Sequence, residues 1–160
     1  MILLYSSVLV FNLLAFKLVK RLSLNSIVHI WVFTIAFQMV FDIFVDTKYQ
    51  GYWYISQGID WIAFPGYTML IPPVNLIILN WYPFHGSVFK QVIYIVIWDL
   101  LILLYELMTL LPAPWGFLEY GWWTLWHSAF INPVLLAALA AYYQFVQRLE
   151  SRLLAKRLSQ

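Results

Sequence analysis

The chain has 160 residues, 64% hydrophobic and 10% charged, with a formal net charge of +2 and no cysteine. Soluble domains carry about 25% charged residues, so a soluble fold of this size is excluded and lipid is the expected solvent. Disulfides and thiolate metal sites are excluded with the cysteines.

Ile2 to Phe16 is apolar apart from Ser6, Ser7 and Asn12. It runs into Lys17, Lys20 and Arg21, whose stems can follow the membrane while their charges reach water. Counted to Val19, the segment is long enough to span. No charged side chain precedes Lys17 and no small-residue cleavage pattern follows, so a retained first span is expected rather than a signal peptide. Leu22 to Ser26 is a short polar break, with Asn25 or Ser26 as the expected N-cap of the second span. That span covers about Ile27 to Val45. It holds His29 near its start, and Gln38, Asp42 and Asp46 follow at i, i+4, i+8 on one face. Thr47 to Gly58 is a polar, aromatic loop whose rings suit a membrane interface.

The third span runs from about Trp61 to Trp81. Its Pro72-Pro73 pair predicts a kink or a break, because proline lacks a backbone donor and clashes with the preceding turn. The third span also holds Asn75 and Asn80. Trp81 to Gly86 (WYPFHG) reads as an interfacial exit and turn. The fourth span, Phe89 to Leu111, buries two carboxylates, Asp99 and Glu106, and Pro112-Ala113-Pro114 ends it. An ionisable residue within a span marks a functional site by default. The fifth span runs from about Gly121 to Val146, with His127 and a break predicted at Asn132-Pro133. The basic tail beyond it is amphipathic and is expected to lie on anionic headgroups through Arg148, Arg152, Lys156 and Arg157. Lys17, Lys20 and Arg21 are the matching headgroup contacts at the end of the first span.

Five alternating spans place eight of the nine basic residues on one side, with only Lys48 opposite. The positive-inside rule makes that side cytoplasmic, with the N-terminus out and the C-terminus in. The expected fold is therefore all-α. It is a polytopic transmembrane bundle of five helices over residues 1–147 with a basic amphipathic cytoplasmic tail over residues 148–160. In this topology Asp42, Glu106 and His127 share one level of the outer leaflet, with Asp99, Gln38, Asn75 and Asn132 below. Two readings stand side by side. The groups staple the bundle by pairing with one another, with Glu106 and His127 the first pair expected. Alternatively, Asp42, Asp99, Glu106, His127, Asn75 and Asn132 line a path for a cation, a proton or a small amphiphile.

No HExxH or paired-histidine motif supports a metal, and no cofactor is expected. No nucleophile–base motif or phosphate cradle supports an enzyme. Proline beside asparagine recurs in spans three and five, as IPPVN and INPV. Interrupted helices of this kind serve transporters, although proline also merely kinks membrane helices. YQGYW at Tyr49 and YGWW at Tyr120 form a loose echo, each opening an inward helix. Most tryptophans, Trp123 among them, are expected in an outer interfacial belt.

The stretches FDIFVDTKYQGYWYISQGIDW, LIPPVNLIILNWYPF and LLYELMTLLPAPWGFLEYGWW resemble a family of uncharacterised small integral membrane proteins from Bacillus- and Clostridium-type bacteria. The likeness runs from about Ser7 to Arg148. It implies a multi-pass protein of a Gram-positive cell membrane and carries no activity. The tryptophan-rich sensory proteins share the five spans and abundant tryptophan, but their tryptophan–proline loop after the first span is missing here. The expected role is that of a non-enzymatic accessory membrane protein acting through lipid or protein contacts; a small carrier or channel is the alternative. Its expected partners are the bilayer and another membrane protein or a second copy, and no nucleic acid.

Overall fold

The computed structural model describes residues 1–58 and 61–158. Five helices carry the chain: α1 (Ile2–Leu18), α2 (Leu24–Asp42), α3 (Ile71–Trp81), α4 (Val88–Thr109) and α5 (Leu125–Leu158). A π-helical stretch, Ile43–Lys48, prolongs α2, and another, Gly66–Leu70, leads into α3. Leu24–Lys48, Val88–Thr109 and Leu125–Leu153 are long and apolar enough to cross a membrane, and α1 is a shorter apolar helix. Their outer faces agree with that composition. Phe16 is 91% exposed, Phe89 73% and Phe130 74%, which water would penalise and lipid does not.

Helix starts follow local chemistry. The N-cap of α2 is Ser23, not Asn25 or Ser26. Ser23 has an extended backbone, and its hydroxyl accepts the Ser26 N–H at 3.0 Å, satisfying one of the donors a helix start leaves free. Ser87 caps α4 in the same way through Lys90. A kink or break was expected near the proline pair, and the helical run is irregular directly before it. Pro72 and Pro73 sit in the first turn of α3, where their missing N–H groups are not needed. The interruption therefore falls just before them, in the π turn. No break occurs at Asn132-Pro133. The helix α5 runs through Pro133, its turns packed against α4 and α2, and one lost donor is tolerated in such a setting.

Two strands lie in the loops, a feature the sequence reading did not include. β1 (Tyr52–Tyr54) pairs antiparallel with β2 (Leu118–Tyr120). The N-terminus is tied to the same end of the bundle, because the Met1 ammonium donates to the carbonyls of Pro114 at 2.9 Å and Gly116 at 3.1 Å. The opposite end gathers the α1–α2 turn, the end of α3 and the far part of α5. There Asn80 accepts from the backbone of Lys20 and Arg21 and donates to the carbonyl of Leu18. Ser23 and Asn25 donate to Glu150, and Gln147 donates to Ser26.

Lys17, Lys20, Arg21, Arg148 and Arg152 are exposed around this second end; the side chains of Lys156 and Arg157 lie outside the described residues. The helix α5 crosses residue 148 without a break, with Gln147 and Glu150 docked on the start of α2. The core of this end is Ile30, Leu76, Leu79, Leu139 and Ala140. A smaller core of Leu4, Leu70 and Phe117 lies under the strands.

Candidate functional site

Between these two cores the helices part around a chamber of ≈ 640 Å³, within the roughly 300–1,000 Å³ range of small-molecule sites. All five helices contribute walls. Leu136 and Leu139 of α5 close the chamber towards the basic end, and the strands roof it at the other. Three wall residues of α4, Leu101, Leu104 and Met108, are also 49%, 58% and 45% exposed. These side chains put exposed apolar surface along α4, the helix that forms one wall of the chamber.

The roof follows from strand alternation. Tyr52 is opposite Tyr120, Trp53 opposite Glu119 and Tyr54 opposite Leu118. Successive side chains in a strand point to opposite faces, so Tyr52, Tyr54, Leu118 and Tyr120 share one face. Trp53 and Glu119 share the other, where the indole N–H donates to the carboxylate at 3.0 Å. Glycine permits the close approach. The Gly121 N–H donates to the Gly51 carbonyl at 2.8 Å, and a Cβ on Gly121 would stand 2.2 Å from the Gln50 carbonyl oxygen.

The shared face carries the site's chemistry. The Tyr52 hydroxyl donates to Asp42 at 2.5 Å, and Gln38 donates to the same carboxylate at 3.0 Å. The Tyr120 hydroxyl donates to Glu106 Oε1 at 2.5 Å, and Ser128 donates to the same oxygen at 2.6 Å. The Trp123 indole donates to Ser128 Oγ at 2.8 Å. Burial pushes the Tyr52 and Tyr120 phenols well above their ordinary value, and the carboxylate each faces reinforces the shift. Both phenols are therefore neutral donors. Burial likewise raises Tyr54, which lies within the fields of Asp42, Asp46 and Glu106.

Asp42 and Glu106 thus meet beneath one roof. The expected histidine does not join them. His127 is exposed, and its Nδ1 accepts the Thr124 N–H at 3.1 Å while its ring packs on Trp122 and Trp123. The next residue, Ser128, takes the place beside Glu106, because one helical step turns a side chain by about 100°. Asn75 donates to Thr34 Oγ1 at 3.0 Å and lines the chamber. Asn132 lines it as well. Asp99 is buried beside Asn132, two turns from Glu106 on nearly the same face of α4. Asp99 Oδ1, Asn132 Nδ2 and the Tyr105 hydroxyl are buried with no hydrogen-bond partner.

Tyr52, Tyr120, Ser128 and Trp123 are site residues that sequence reading missed. Trp123 was expected in the interfacial belt, yet it is buried under the roof. The available signal was short: YWY and LEY each alternate over only three residues. Among the described residues, no group of three or more His, Cys, Asp or Glu is placed to hold a metal ion. Comparisons with protein-family models, with curated proteins and with solved structures give no match for this chain.

Proposed function

We propose that this protein is a non-enzymatic, five-span protein of the cell membrane that takes an amphiphile from the surrounding lipid into its chamber. The observation that carries the reading is the chamber itself: a largely apolar cavity of ≈ 640 Å³ walled by all five helices, with polar groups gathered under its roof. An apolar body would rest against the leucine and phenylalanine walls, and a polar head would meet the groups near Glu106. Asp42 and Glu106 each already accept hydrogen bonds from two side chains of the protein, which supports a fixed polar wall over an ion relay.

The topology belongs to the same proposal. The N-terminus and the strand roof face outward, and the basic end faces the cytoplasm. The likeness of the chain to small membrane proteins of Bacillus- and Clostridium-type bacteria suggests a Gram-positive cell membrane as its location.

Binding tests the reading. A fluorescent, uncharged monoacylglycerol should bind the reconstituted protein saturably, near one per chain. Val74→Trp, which places an indole in the chamber wall, should weaken that binding at least about tenfold, which corresponds to 1.4 kcal/mol. Binding with no saturation, or saturable binding indifferent to Val74→Trp, would refute a chamber ligand.

A further inference from the structure

The chamber has a charge preference written into its lining. No lysine, arginine or histidine among the described residues lines it, whereas Glu106 does. Asp99 is 8% exposed and stands two turns below Glu106 on α4, beside Asn132 and outside the lining itself. Its carboxylate adds a second acidic group behind the wall at the depth of Asn132, which does line the chamber. Two carboxylates with no basic side chain in the lining favour a cationic occupant.

The rings form the second half of the pattern. Under the roof, Tyr52, Tyr54 and Trp123 make edge contacts, Tyr54 meets Tyr67 and Phe117, and Phe41 meets Trp123. These six residues all line the chamber. Aromatic faces attract cations that have shed water, and quaternary ammonium groups are held in such cages.

We propose that the amphiphile is a lipophilic organic cation, with an ammonium-type head and an alkyl or aromatic body. The head lies among these rings, between Glu106 and the Asp99 level, and the body fills the apolar part of the chamber. The inference rests on the amphiphile reading and adds the sign of the charge to it.

Two ions of matched shape and opposite charge decide the matter. Tetraphenylphosphonium and tetraphenylborate are titrated into the full chain in phosphatidylcholine nanodiscs, with protein-free discs subtracted. The phosphonium should bind saturably and at least about tenfold tighter than the borate. Glu106→Gln, whose oxygen can still accept from Tyr120 and Ser128, should cost the phosphonium about tenfold or more, the scale of a charge-assisted contact, while the melting temperature holds. Asp99→Asn, which removes a charge two turns deeper and outside the lining, serves as the second variant and should act in the same direction. Equal binding of the two ions, tighter binding of the borate, or phosphonium binding insensitive to both variants would overturn the charge assignment. The monoacylglycerol titration separates the two proposals. If it binds and the phosphonium does not, only the cation assignment falls; if neither binds, both fall.

Discussion

Glu106 shows how little separates a pair from a near miss. Its depth was readable from its position in a long apolar run, and so was its need for partners. Depth alone could not choose between His127 and Ser128, because adjacent helical residues share a depth and differ only in direction. The direction of α5 is set by its packing on α4 and α2, and it turns Ser128 inward. Tyr120→Phe or Ser128→Ala should then cost about 1–3 kcal/mol, since each leaves a half-buried carboxylate one donor short. His127→Ala should cost less than about 0.5 kcal/mol, as expected for an exposed side chain. Thermal unfolding in detergent measures all three. A loss at His127 as large as that at Tyr120 would count against the observed partners.

At the scale of elements, the helices were legible and the strands were not. Four of the helices announce themselves as apolar runs bounded by Ser, Pro or charged residues. The irregularity near Pro72-Pro73 was legible and its form was not, because a proline pair signals a helix interior under strain and a helix first turn equally well. The strands β1 and β2 have three residues each and pair across a long stretch of chain, so no local period marks them. Their pairing depends on the absence of a side chain at Gly121. Gly121→Ala would drive a Cβ against the Gln50 carbonyl. It should cost about 1–3 kcal/mol, the usual range for overpacking, and should weaken monoacylglycerol binding by deforming the roof. A variant with wild-type melting temperature and wild-type binding would show that the strands can part without consequence.

For the whole molecule, the bundle has an approximate internal order. Asp42 near the end of α2 is met by Tyr52, and Glu106 near the end of α4 by Tyr120, and the two tyrosines are opposite one another in the strand pair. Deeper in, Asn75 meets Thr34, and Asn132 lies beside Asp99. The loose echo of YQGYW and YGWW overlaps the start of β1 and the last residue of β2. The orientation of the whole is open to a simple measurement, because the chain has no cysteine and every introduced thiol is unique. Gln57→Cys, beside the roof, should react with a membrane-impermeant maleimide in intact cells. Ser151→Cys, at the basic end, should react only after lysis. Labelling of Ser151→Cys from outside would defeat the N-out, C-in arrangement.

The sequence by itself determined the apolar helices, three of them long enough to cross a membrane, and the end of the molecule that collects basic charge. These follow from composition and local order, since a run of apolar residues demands an apolar surrounding wherever the chain goes. It also singled out Asp42, Asp99 and Glu106 as groups in need of partners, because a buried carboxylate is costly in any fold. Only the tertiary structure decided what those partners are. Phenols from two distant three-residue strands reach two carboxylates because the strands pair, and the helices part into a chamber between the two cores. Both outcomes depend on contacts between residues far apart in the chain, which no local pattern encodes.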